Sequence, residues 1–237
     1  MRGWFLAGVA AVAASWALCC AVQAVAGDPL PPQISISQYG VGEHGWLFSL
    51  WMLTVAAGPC LLYRYRPVRG LGAGWWLLVG TVGTAVMAIV RTDPGGLQQS
   101  VNAKIHLGGS VLALAGLPIG IMLALLAAAP IWRRTAIGLV AASAVALELL
   151  LVSAAGVDTT GVGATTSWAF WQSVALVADM LLLAAYAWGC RTIPPLATDP
   201  EPWWAAVHAG RVLPAGISAG QPAGREPRDL RTAGSPS

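Results

Sequence analysis

Arginine, aspartate, lysine and histidine break up two apolar runs in the stretch AIVRTDPGGLQQSVNAKIHLGG, residues 88–109. Asp93 and His106 have the chemical capacity: a carboxylate orienting an imidazole makes a general acid/base pair, and the same two side chains supply half of a metal site. They stand thirteen residues apart, too far for one helical face, so a folded-back loop would have to bring them together. DPGG is a turn signal of the required kind. His106 is expected to open a helix, where the macrodipole disfavours imidazolium and leaves a neutral ring able to accept a proton or ligate a metal. The alternative is mechanical. Asp93 would pair with Arg91 or Lys104, and His106 would hold a backbone or side-chain partner. With no spacing motif around either residue, this loop clamp is the preferred reading.

A second polar cluster, ISQYGVGEHGW, places Glu43 and His44 just before another apolar run. The outer-face set is therefore Glu43, His44, Arg91, Asp93, Lys104 and His106. Two histidines with Asp93, Asp158 or Glu43 could complete a zinc site, yet neither HxxxH nor HExxH occurs. No metal or cofactor is expected, with His44 and His106 the candidate ligands if there is one. Haem across the bilayer would need histidines paired at membrane depth, and the three present stand near helix ends or in the tail. Cys19, Cys20, Cys60 and Cys190 fall within or at the ends of apolar runs and form no CxxC, so free thiols are expected.

Two carboxylates interrupt apolar runs elsewhere: Glu148 in VALELLL and Asp179 in LVADMLL. Both fall near the middle of their runs, at comparable expected depth. Each costs roughly 2.5–3.5 kcal/mol on membrane-insertion scales, which makes function the default hypothesis. They can carry protons, coordinate a cation, or share a hydrogen bond that locks two helices, with Gln172 or Ser173 as further partners. The interhelical lock and the functional readings stand level.

The surrounding composition dictates what positions these groups. Of 237 residues, 57% are hydrophobic and 10% charged, against roughly 25% charged in ordinary soluble domains. Mean hydropathy is +0.67. This is the composition of a membrane protein, and no basic block suggests nucleic acid. Six runs reach spanning length, at about 3–26, 46–63, 75–91, 106–129, 135–156 and 168–190. Without water to satisfy backbone groups they must be helices. The first resembles a signal peptide in its small-residue end, AVQAVAGD, but exceeds an ordinary signal core and is expected to be an uncleaved helix.

If the N-terminus is cytoplasmic, Arg2, Arg64, Arg66, Arg69, Arg133, Arg134 and Arg191 flank the inner side and only Arg91 and Lys104 the outer. The positive-inside rule then places both termini in the cytoplasm. Trp4, Trp75, Trp76, Trp132 and Trp188 form an inner aromatic belt, and Trp46, Trp168 and Trp171 an outer one. Gly116 and Gly120, with Pro118 between them, allow close helix contact and a bend inside the bundle. Residues 1–190 form the membrane domain. Residues 191–237, rich in Pro, Gly, Ala, Arg and Ser, are expected to be a mostly disordered cytoplasmic tail, with a short interfacial segment near 202–210 around Trp203, Trp204 and His208.

The order ISQYGVGEHGWLFSLWMLTVAAG, AIVRTDPGG, KIHLGGSVLAL on a six-helix chain resembles the bacterial membrane-protein family called domain of unknown function 998. The likeness covers about residues 30–190. It implies an Asp-Pro turn after the third helix, as at Asp93-Pro94, and a histidine opening the fourth, as at His106. It is distantly similar to eukaryotic six-helix membrane proteins of the autophagy-modulator type. Neither resemblance implies a reaction. The expectation is an all-α, polytopic six-helix bundle of a bacterial cytoplasmic membrane, non-enzymatic, binding membrane lipid or another membrane protein. The alternatives are a small proton-linked transporter using Glu148 and Asp179, and a lipid hydrolase with an outer Asp93/His106 site and His44 as a further candidate.

Overall fold

Long apolar runs without water must close their backbone hydrogen bonds internally, and here they do so as helices. The computed structural model describes residues 2–28, 33–68, 72–96 and 99–195. Six α-helices run in chain order: α1 (Arg2–Ala26), α2 (Gly45–Tyr65), α3 (Ala73–Ile89), α4 (Val101–Leu125), α5 (Pro130–Ala154) and α6 (Ala164–Gly189). Short 3-10 turns cover Ile36–Gly40, Pro94–Gly96 and Cys190–Thr192. Among the described residues there is no strand. Five helices are long and apolar enough to cross a membrane. The sixth, α3, has 17 residues, the lower end of the spanning range of about 17–25. Arg69 and the 202–210 segment, with Trp203, Trp204 and His208, lie outside the described residues.

Three helix boundaries differ from the sequence expectation in one direction. α4 begins at Val101 instead of 106, α5 at Pro130 instead of 135, and α6 at Ala164 instead of 168. The residues before each apolar run belong to its first turns, since hydropathy alone does not set where a helix begins. Ser100 caps α4, its Oγ accepting the Ala103 N–H at 3.0 Å. Pro130 stands at the first position of α5, where its missing N–H costs nothing.

Consecutive helices pair: α1 on α2, α3 on α4, α5 on α6, with α2 against α3 joining the first two pairs. The α3–α4 contact is the closest. A Cβ at Gly80 would strike Gly116 and the backbone of Leu117, one at Gly83 the backbone of Ala113 and Gly109, and one at Gly120 the backbone of Leu77. Gly116 and Gly120 therefore pack inside the bundle, as small residues do where helices lack a hydrophobic driving force and rely on close contact. By contrast α4 and α5 touch sparingly.

One core cluster gathers Leu62, Leu77, Leu117, Leu125, Leu183 and Tyr186; a second gathers Val22, Ile36, Tyr39, Phe48, Trp51 and Met52. Large apolar side chains such as Leu6, Leu53, Leu78, Val111, Val145 and Leu151 face outward. That surface suits lipid. At one end of the bundle Arg191 stacks over Phe5 at 4.4 Å and Arg66 over Tyr65 at 4.8 Å, while Trp4, Trp75 and Trp188 are exposed. The opposite end carries the 36–40 and 94–96 turns and the loop joining α5 to α6. All four cysteines are free.

Candidate functional site

The loop end is built on carboxylates acting as hydrogen-bond hubs. Asp93 accepts from the backbone N–H of Gln99 and Ser100 at 2.8 Å each and from Ser100 Oγ at 2.5 Å. Those bonds close the loop before α4 and orient its capping serine. The Ser100 hydroxyl, then the Ser100 and Gln99 amides, hold the Asp93 carboxyl below its ordinary range. Gln38 reaches across from the 36–40 turn, donating to the Asp93 carbonyl at 3.0 Å and accepting the Gly95 N–H at 2.8 Å. Gly95 makes this possible at φ +70°, a left-handed conformation that glycine adopts without cost.

His106 stands inside α4, in its second turn, and not at the helix start expected for it. Its Nδ1 lies 2.6 Å from the carbonyl oxygen of Val90, the residue that closes α3. A carbonyl only accepts, so Nδ1 carries the hydrogen and, in the neutral ring, Nε2 is the acceptor. The ring is 4% exposed, and Nε2, itself buried, has no partner among the described residues. Asp93 and His106 are thus committed to different partners, Ser100 and Val90, and do not form an acid/base pair. Arg91 and Lys104 are exposed, and Asp93 pairs with neither among the described residues.

Glu43 and His44 are exposed at the start of α2 and line a shallow pocket with Tyr39 and Gln38. Among the described residues no three His, Cys, Asp or Glu side chains converge as a metal site.

The sparing contact between α4 and α5 leaves a groove of about 240 Å³. Its loop-end mouth is polar, with Ser37, Thr92, His106 and Gln172. Toward mid-bundle the walls become Val111, Leu114, Ala115 and Leu147, and Trp168 flanks the mouth. Exposed Leu107, Val111 and Leu151 open it to the outside of the bundle.

A smaller central cavity of about 80 Å³ lies among α2, α3, α4 and α6. Asp179 of α6 lines it, half-buried, with the buried Ser143 hydroxyl of α5 as its nearest side-chain hydrogen-bond neighbour among the described residues. Glu148 is elsewhere. It is exposed on α5, roughly 9 Å from that helix's end, whereas Asp179 is roughly 22 Å into α6 at about 1.5 Å per residue. The structure brings Asp179 and Glu148 to different depths and surroundings.

Three groups have roles that the sequence reading does not assign to them, although Asp158 and Gln172 were candidates for other partners. Asp158 accepts from the N–H of Thr160, Gly161 and Gly163 and from Ser167 Oγ, at 3.0, 2.8, 2.7 and 2.7 Å, knotting the loop before α6. The Ser167 hydroxyl and the Gly163 amide lead in holding its carboxyl well below the ordinary range. Aspartate followed by Thr-Thr-Gly was the available signal, a side chain able to bond the backbone just ahead. Gln38 and Gln172 are interelement ties; Gln172 Oε1 accepts the Ile36 N–H at 2.9 Å. A lone glutamine carries no sequence signal for such a contact.

The family model described as a protein of unknown function, DUF998, matches residues 9–189, from within α1 to the end of α6. No curated protein and no solved structure matches the chain. The match spans the helical bundle, and the chain belongs to the DUF998 family of proteins of unknown function.

Proposed function

We propose that this chain is a non-enzymatic, six-span protein of a bacterial cytoplasmic membrane, with both termini inside, that binds a lipid of the outer leaflet in the groove between α4 and α5. The groove carries the reading. Its polar mouth lies at the loop end and its apolar floor runs toward mid-bundle, the arrangement that an amphiphile with one headgroup and one chain requires. Ser37, Thr92 and Gln172 at that mouth offer hydroxyl and amide groups to a polar headgroup. The orientation rests on the arginines at the opposite end, Arg2, Arg64, Arg66, Arg133, Arg134 and Arg191, against Arg91 and Lys104 at the loop end.

Hydrolysis has less support, since Asp93 does not orient His106 and each is held by a separate structural partner. A carrier using Glu148 together with Asp179 is likewise disfavoured by their separation.

Photo-crosslinking in membranes tests the groove. A photoreactive residue at Val111 should capture a lipid of one headgroup class, and one at Leu53, on the outward surface of α2, should capture bulk lipid in proportion to its abundance. Equal, unselective capture at both positions would contradict the proposal.

A further inference from the structure

At the arginine end of the bundle a second groove, of about 170 Å³, lies between α1 and α6, which touch sparingly. Phe5, Val9 and Val12 form one wall from a single face of α1. Ala184, Ala187, Trp188 and Arg191 form the other from one face of α6, and Arg191 is the charged group of the lining. From Phe5 to Val12 the floor runs about 10 Å toward mid-bundle, at about 1.5 Å per residue. Aromatic rings hold the cation at the mouth. The Arg191 guanidinium carbon stands 4.4 Å from the Phe5 ring centre and 5.3 Å from that of Trp188. Tyr65 adjoins Phe5 at 5.1 Å and carries Arg66 over its own ring at 4.8 Å. Both guanidiniums lie within electrostatic reach of the buried Cys190, so two positive charges surround one spot. The described carboxylates stand elsewhere: Asp28, Glu43, Asp93 and Asp158 in the loop-end segments, Glu148 and Asp179 within helices.

We propose that this groove binds an anionic glycerophospholipid, one with a phosphodiester and no ammonium of its own, its phosphate at Arg191 and an acyl chain along the α1–α6 floor. Charge complementarity names the occupant. Guanidinium meets phosphate through paired N–H donors and keeps its charge at any physiological pH. A zwitterionic headgroup would bring its own cation into the field of Arg191 and Arg66, so the headgroup with net negative charge gains more. Basic pockets between spanning helices recruit anionic headgroups on this physical basis. A free phosphate would leave the apolar floor unused. The site shares no lining residue with the α4–α5 groove and stands at the opposite end of the bundle. It needs only that the chain span a membrane, and holds in either orientation.

The test is thermal unfolding of the full chain in nanodiscs of phosphatidylcholine, against nanodiscs of phosphatidylcholine and phosphatidylglycerol in equal parts, at one ionic strength. A ligand that binds only the folded state raises the unfolding temperature with its concentration. The expected result is a rise with phosphatidylglycerol that disappears in Arg191→Gln and in Ala13→Trp, whose indole would fill the groove from an exposed position on its lining. Arg134→Gln removes the same charge from an exposed position on α5, outside the lining, and should keep the rise. Losing the stacking of Arg191 on Phe5 lowers stability in both lipids alike, so the difference between lipids is the readout. Should Arg191→Gln not fold, Ala13→Trp decides. Equal unfolding temperatures in the two lipids would overturn the proposal, as would a rise that survives in either groove variant. A rise that falls equally in Arg134→Gln would reduce it to general surface charge and overturn it too. Lipid capture at Val111 is read separately, so either proposal can fail alone.

Discussion

His106 Nδ1 meets the carbonyl oxygen of Val90 at 2.6 Å, so one side chain from the second turn of α4 closes the end of α3. The bond staples together the two helices whose glycines already bring their backbones into contact. It also assigns the ring's tautomer, leaving Nε2 without a hydrogen in the neutral ring.

Replacing this ring should be felt in stability. His106→Ala leaves the Val90 carbonyl without its side-chain donor, and losing a buried partner costs about 1–3 kcal/mol. Thermal unfolding of the variant in nanodiscs measures the loss. Nitrogen-15 spectra of the native ring should show hydrogen on Nδ1 and an unprotonated Nε2 in the neutral form; the opposite tautomer would be incompatible with the Val90 bond.

Glycine substitutions should separate by position. Gly80→Leu or Gly116→Leu would drive a side chain into facing backbone, and overpacking of this kind costs about 1–3 kcal/mol or more. Gly138 on α5 has open space around it, so Gly138→Leu should change stability by less than about 0.5 kcal/mol. Unfolding temperatures of the three variants, measured side by side, check the contrast.

Much of the architecture was legible beforehand because the bilayer leaves so few options: apolar length dictated six helices, and Gly116 and Gly120 announced their own contact. Helix starts were less legible. Ser100 and Pro130 begin helices through local hydrogen bonding and backbone geometry that a hydropathy run does not register. The candidate site was legible residue by residue but not as an assembly. Asp93 and His106 drew notice as a pair, yet each found a nearer backbone partner, and the groove owes its existence to the loose α4–α5 contact. Glu148 and Asp179 looked equivalent as isolated carboxylates; only tertiary packing puts one outside and the other against a cavity.

The two loop carboxylates make a pH prediction. Both folded-state pKa values are depressed, so their contribution to stability is complete above the unfolded value of about 4 and is lost as pH falls through the lower folded values. Unfolding temperature should therefore decline on acidification below about pH 4. Asp158→Asn should flatten that decline more than Asp93→Asn, since Asp158 is the more strongly depressed. An acid limb unchanged in both variants would count against the hydrogen-bonded knots.

Glu148 and Asp179 should respond differently to neutralisation. Glu148 is exposed on the apolar surface of α5, so Glu148→Leu should ease membrane insertion, within the roughly 2.5–3.5 kcal/mol that a charged residue costs at helix centre. A glycosylation-based insertion assay on α5 reads that change. The substitution should leave lipid capture at Val111 intact.

The central claim is that the α4–α5 groove holds a lipid, and native mass spectrometry of the full chain released from nanodiscs tests it most directly. The account predicts one lipid retained per chain by the native protein, and loss of that lipid in Ala115→Trp, whose indole would fill the groove floor, at an unfolding temperature close to the native value. No retained lipid in the native protein, or equal retention in native and Ala115→Trp proteins, would contradict it.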